Sequence, residues 1–188
     1  MATPQVPAIN LPEEVYAVFC GGIDQASIQK IFLAVATASQ NNVRHIHLMF
    51  RSTGGTVGDG IALYNYLRAA PVDMTLYNVG SVQSIAAVAY LGAKKRKTSA
   101  RASFVFHRTT ASPQSADAGL LKTITESIVM DDRCTESILR EHLKIPDEKW
   151  AVLDQGNLWF AGEDAIKANI ADEVAEFAPP VGSRIFSL

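Results

Sequence analysis

The chain is expected to fold as an α/β domain built on a largely parallel sheet. Two observations predict this. Short β-branched and aromatic runs alternate with segments of helical period through the first half, and each run stops at a glycine-bearing turn. The length of 188 residues suits one sizeable core, and 48% hydrophobic with 19% charged residues is an ordinary globular balance.

Taken in order, residues 1–14 carry Pro4, Pro7 and Pro12 without periodicity and read as an extended arm. Val15–Cys20 is an apolar strand ended by Gly21 and Gly22. Asp24 is a candidate cap for a helix over Gln25–Ser39, where Ile28, Ile31, Phe32, Val35 and Ala36 recur at helical spacing. His45–Phe50 is a second strand, stopped by Ser52-Thr53-Gly54-Gly55, and Val57–Ala69 a second helix. Met74–Val79 is a third strand, ended by Gly80. Ser84–Leu91 is a small-residue apolar helix, Lys94–Lys97 a charged loop, and Ser103–Phe106 a further strand. After the polar loop 108–119, Leu120–Leu143 is one long amphipathic helix, and Phe160–Ala175 closes with a short helix and strand.

Composition narrows the function. A net charge of −2 and a pI near 6.1 give no field that favours nucleic acid or an anionic membrane. Cys20 and Cys134 sit in no CxxC or Cys/His cluster, so no zinc site is expected and both thiols are expected to be free. The N-terminus has neither a basic nor an apolar leader region, and no apolar run approaches the roughly 18–20 residues of a membrane span. A soluble, cytoplasmic protein is expected.

Ligands of α/β sheets gather beyond the carboxyl ends of strands. Two such ends carry glycine here, Ser52-Thr53-Gly54-Gly55 and Gly80-Ser81-Val82-Gln83-Ser84. A serine opening a helix beside a glycine turn is most often only a helix cap, but it is also where a nucleophile meets backbone N–H donors. His107 ends the strand Ser103–Phe106 and is the histidine best placed to serve such a serine; His45, His47 and His142 lie on a strand face and in a charged helix end.

The order of these segments resembles the Clp protease family. Ser52-Thr53-Gly54-Gly55 is similar to its Ser-Pro-Gly-Gly turn, and Gly80-Ser81-Val82-Gln83-Ser84-Ile85-Ala86 to its nucleophile segment. Gly92-Ala93-Lys94-Lys95-Arg96 is similar to its Gly-Ala-Lys-x-x-Arg stretch, and Val105-Phe106-His107 to its Met-Ile-His strand end. Val18–Asp24 and Phe160–Asp172 extend the likeness over residues 15–175. The resemblance implies a ClpP/crotonase-like spiral of β-β-α units with a protruding strand–helix handle, formed by residues 15–188 as one peptidase domain. It implies hydrolysis of peptides or unfolded proteins through an acyl-enzyme, without metal or organic cofactor. Ser84 would be the nucleophile, His107 the general base, and the amides of Gly55 and Ile85 the oxyanion donors. The family's acidic third member falls on Asn157, with Asp154 one turn upstream as the alternative orienter of His107. Segment 108–143 would interlock subunits into a homo-oligomeric ring or double ring, through residues such as Leu120, Ile124, Ile128 and Ile138.

Departures from the pattern are Thr53 for proline, Ile85 for methionine, Gln83 for a small residue, and the Asn157 position itself. Asn157 and Gln83 also motivate an alternative, a catalytically weak or inactive subunit that acts structurally in a mixed ring. An acyl-CoA enzyme of the crotonase type would need neither Ser84 nor His107. The short arm lacks the basic helix that precedes the first strand in the family, which leaves docking of an AAA+ unfoldase without its usual features.

Overall fold

A computed structural model describes residues 11–188. Most of the expected arm over 1–14 therefore lies outside the described residues, and Glu14 already belongs to the first strand. Six strands make the main sheet: β1 (Glu14–Cys20), β2 (His45–Arg51), β3 (Asp73–Asn78), β5 (Lys95–Thr98), β8 (Glu173–Val174) and β9 (Ile185–Ser187), in the order β8-β5-β3-β2-β1-β9 and parallel throughout. A second sheet holds β4 (Ser81–Gln83), β6 (Ser103–Phe106) and β7 (Leu158–Ala161) in the order β4-β6-β7, with β6 and β7 antiparallel. Among the described residues six helices accompany them: α1 (Gln25–Gln40), α2 (Val57–Ala69), α3 (Ile85–Tyr90), α4 (Ala118–His142), α5 (Asp147–Gln155) and α6 (Gly162–Lys167).

The register follows the alternation of the sequence. Val15, Ala17 and Phe19 of β1 lie beside Ile46, Leu48 and Phe50 of β2, all buried on the same face. Ile28, Ile31, Val35 and Ala38 of α1 join that core. The helix starts where expected because the Asp24 carboxylate accepts from Ser27 N at 2.8 Å while Ser27 Oγ accepts from Asp24 N at 3.0 Å. The Ser27 backbone bond holds the Asp24 carboxyl below its ordinary value. Every residue of α3 is buried, as an all-apolar helix requires. Its start packs against Gly60 of α2, where an added Cβ would lie 2.2 Å from Ile85 Cγ1.

Two elements depart from the sequence reading. The charged stretch expected as a loop contains strand β5. Its Arg96 turns inward, and its backbone N and guanidinium both donate to the Asp172 carboxylate, at 2.7 and 3.0 Å. Lys97 pairs with Glu173 at 2.6 Å. Two of the strand's charges, Arg96 and Lys97, are thus met by the neighbouring segment, while Lys95 stays exposed. The handle has its helix, α4, but residues 107–117 form no strand. A strand needs a neighbour, and no edge of either sheet is paired with this stretch. Cys20 and Cys134 are free and exposed. No described helix is long and apolar enough to cross a membrane.

Three half-buried histidines are expected to make the fold sensitive to acid. His142 at the end of α4 lies 2.8 Å from the Tyr64 hydroxyl through Nε2. Arg68 donates to the same hydroxyl oxygen at 2.6 Å. The hydroxyl proton is therefore free to point at His142 Nε2, which accepts only when the ring is neutral. Burial, reinforced by the Arg96 and Arg68 charges, holds His142 below the ordinary 6.5, and burial does the same for His45 and His47. The unfolded chain then takes up protons first as pH falls below about 6.5, so acid costs stability. The urea midpoint should fall between pH 7.5 and 5.5, and fall less in His142→Gln. An equal fall in both would remove His142 from this account.

Candidate active site

The turn after β3 is built to hold a serine in an uncommon conformation. Buried Asn78 donates through Nδ2 to Ser103 O at 2.9 Å and accepts from Gly80 N at 3.1 Å, tying the turn to the start of β6. Strand β4 then runs between the ends of β2 and β6: Gln83 N donates to Ser52 O at 2.9 Å, and Ser84 N to Val105 O at 2.7 Å. Pinned from both sides, Ser84 adopts φ 56° and ψ −136°, immediately before α3. A non-glycine residue held there stores about 1–3 kcal/mol of strain, and such strain gathers at functional positions. Ser84 makes no capping bond to its helix, so its hydroxyl is not consumed as an N-cap. The Gln83 amide donates to Ser81 Oγ at 2.8 Å, which folds it back from the serine.

Opposite lies the glycine turn after β2. Gly54 and Gly55 have φ of +99° and +156°. A Cβ on Gly54 would lie 2.6 Å from Ser84 Cβ, and one on Gly55 would lie 2.1 Å from Ile23 O. Glycine is needed at both positions, for backbone angle and for close approach. The turn is anchored by Ile23 N donating to Gly54 O at 2.9 Å and Thr56 N donating to Ile23 O at 2.8 Å. Between those bonds the Gly55 amide has no protein acceptor among the described residues, and neither has the Ile85 amide at the first turn of α3.

His107 follows the buried end of β6 and is half-buried. Gly55, Ser84, Ile85 and His107 line one cleft, together with Val57, Val88, Phe106, Thr135 and Leu139. The structure thus brings together four of the six sequence-predicted site residues. Ser84 Oγ and His107 are not hydrogen-bonded to each other among the described residues; such bonds commonly tighten only on a bound substrate.

The two candidate orienters are elsewhere. His107 Nδ1 lies 2.7 Å from the Arg108 carbonyl oxygen. Asp154 is engaged by the Arg108 guanidinium, through Nε at 3.0 Å and through a second, shorter bond. The same guanidinium pairs with Glu136 at 2.7 Å, and this bond together with Arg140 holds the Glu136 carboxyl below its ordinary value. Asn157 is exposed in the turn between α5 and β7 and makes no bond to His107. Sequence reasoning missed Asp132, whose Oδ1 accepts from Thr109 N at 2.8 Å, two residues past the histidine. Its spacing in a long helix carries no signal that would have found it. Among the described residues no cluster of three or more His, Cys, Asp or Glu side chains could hold a metal ion.

The chain is 25% identical over 181 residues to the ATP-dependent Clp protease proteolytic subunit 2 of Corynebacterium diphtheriae, covering 90% of each chain. It is 24% identical over 157 residues to the proteolytic subunit 1 of Streptomyces avermitilis, covering 82% of this chain and 72% of that one. The proteolytic subunit 2 of Corynebacterium glutamicum is 24% identical over 143 residues, 75% of this chain and 71% of its own length. The sequence model described as Clp protease matches residues 9–178, nearly the whole of the described fold. With its two glycine turns, strained serine and strand-end histidine set around one cleft, the chain belongs to the Clp protease family.

Proposed function

We propose that this chain is a serine-type endopeptidase subunit that hydrolyses peptide bonds through an acyl-enzyme at Ser84. The observation that carries the reading is the single cleft in which Ser84, strained at φ 56°, meets His107 and the unpaired amides of Gly55 and Ile85. Ser84 Oγ attacks the scissile carbonyl carbon while His107 Nε2 takes its proton. The carbonyl electron pair moves to oxygen, where the two amides receive it. Collapse of the tetrahedral species breaks the C–N bond, and His107 returns the proton to the leaving amine. Water then repeats the sequence on the ester, releasing the acid and restoring Ser84. No step calls for a metal or an organic cofactor.

Assembly into a homo-oligomeric ring or double ring is part of the same reading. It is supported by α4, a helix of 25 residues in which only Leu139 is buried, while Leu120, Leu121, Val129 and Met130 are left exposed. A helix that long with its apolar residues in water needs a partner surface. The ring would act in the cytoplasm on peptides or unfolded chains, with an AAA+ unfoldase as its ATP-driven partner and without nucleic acid or membrane.

Purified protein is expected to cleave fluorogenic peptides in buffer containing EDTA, with activity rising with concentration as subunits associate. Absence of cleavage in a sample shown by light scattering to be assembled would overturn the reading.

A further inference from the structure

The acceptor for His107 Nδ1–H is a backbone carbonyl, and that carbonyl belongs to the peptide group joining Arg108 to Thr109. The other end of the same peptide group, Thr109 N–H, donates to Asp132 Oδ1 of α4 at 2.8 Å. A planar peptide unit points its C=O and N–H in opposite directions along one dipole. A carboxylate thus sits at one end of that dipole and the imidazole at the other.

We propose that Asp132 is the positioning carboxylate of this site, acting on His107 through the Arg108–Thr109 peptide group. The proposal rests on the serine peptidase reading and deepens it. Three consequences follow from the chain Asp132 carboxylate, Thr109 N–H, Arg108 C=O, His107 Nδ1–H. A carbonyl oxygen can only accept, so Nδ1 carries the proton and Nε2 presents its lone pair to the cleft, as a general base for Ser84 must. A carboxylate bonded to the amide N–H polarises the carbonyl and makes it a better acceptor as the imidazolium forms. The Asp132 bond also fixes the rotation of the peptide plane and with it the direction of the acceptor. The Arg108 side chain secures the same plane from its own residue, since its guanidinium bridges Glu136 of α4 and Asp154 of α5. Asp154, a direct orienter in the sequence reading, acts in this arrangement only by holding Arg108. Asn157 takes no part.

The experiment combines peptide kinetics with the tautomer of His107, read from histidine-15N-labelled assembled protein by magic-angle-spinning NMR and assigned by its loss in His107→Gln. The wild type is expected to show His107 with the proton on Nδ1. In Asp132→Ala the Nε2–H tautomer should appear, and kcat should fall on the order of tenfold to a hundredfold, with KM within about twofold. That is well short of the roughly 10⁴-fold loss that follows when a directly bonded triad carboxylate is removed. Asp132→Asn keeps an acceptor for Thr109 N–H without the charge and should restore the Nδ1–H tautomer and part of kcat. It also covers the case in which the alanine variant does not fold. Asn157→Ala should leave both readouts unchanged. The proposal is overturned if both Asp132 variants keep wild-type kcat and tautomer, or if Asn157→Ala alone lowers kcat tenfold. The NMR readout needs no turnover. A tautomer that responds to Asp132 in an inactive protein would sustain the positioning chain while the peptidase reading failed.

Discussion

Ser84→Ala is expected to lower kcat on a fluorogenic peptide by about 10⁶-fold, the loss typical of removing a serine nucleophile whose partners act as a unit with it. KM and assembly should not change, because the hydroxyl makes no structural hydrogen bond and no helix cap. His107→Ala should cost nearly as much, and the double variant no more than either single one. Backbone strain supplies a second readout. Ser84 sits at φ 56°, a conformation that alanine does not relieve and glycine does. Ser84→Gly should therefore be as inactive as Ser84→Ala yet more stable than it by about 1 kcal/mol, measured by urea unfolding. Equal stability of the two variants would mean that the turn stores no strain.

The glycine turn after β2 carries the second large effect. Gly55→Ala places a Cβ 2.1 Å from the Ile23 carbonyl oxygen, which itself accepts from Thr56 N. Backbone meets backbone, so no side chain can swing aside and the turn itself must move. The Gly55 amide then leaves the position where negative charge develops, and kcat should fall about 10²–10³-fold, the usual effect of losing one oxyanion donor. Stability should fall as well, by about 1–3 kcal/mol, as overpacking usually costs. Gly58→Ala is the control. It lies in the next helical turn, its added Cβ meets nothing within 4 Å, and alanine suits a helix better by about 1 kcal/mol. Activity should be kept and stability unchanged or raised. Comparable losses of kcat in the two variants would dissociate the Gly55 amide from catalysis.

The elements most legible in the sequence were those with a strong period of their own. Strands β1, β2, β3 and β6 and helices α1 and α2 differ from their expected bounds by no more than a residue or two, because apolar runs, alternating in β1 and β2 and recurring at helical spacing in α1, mark them locally. Strand β5 was hidden because Arg96 and Lys97 of its Lys-Arg-Lys run are paired with Asp172 and Glu173, far along the chain, and no local window contains both halves. Strand β4 is only three residues long and lies within the nucleophile segment, while β9 adds to the sheet by pairing with β1 from the far end of the chain. Helix α5 follows Pro146 as its N-cap and buries only Leu153, so it has no apolar stripe to mark it. In the site, Ser84 and His107 stood out because one opens a helix after a glycine turn and the other follows a strand end, whereas Gly55 and Ile85 were named only through the family resemblance. The partner of His107 could not be read. A side chain that acts through a peptide N–H leaves no residue-type signature at the histidine, and the carboxylates nearest in pattern, Asp154 above all, are drawn off by Arg108.

The central claim is one activated hydroxyl, and the most direct test is covalent. Assembled protein treated with a fluorophosphonate and weighed intact should gain one adduct per subunit, mapped to Ser84 after digestion, absent in Ser84→Ala and greatly slowed in His107→Ala. A protein that stays unmodified under conditions that label a control serine peptidase, or one that carries the adduct on another residue, would contradict the account.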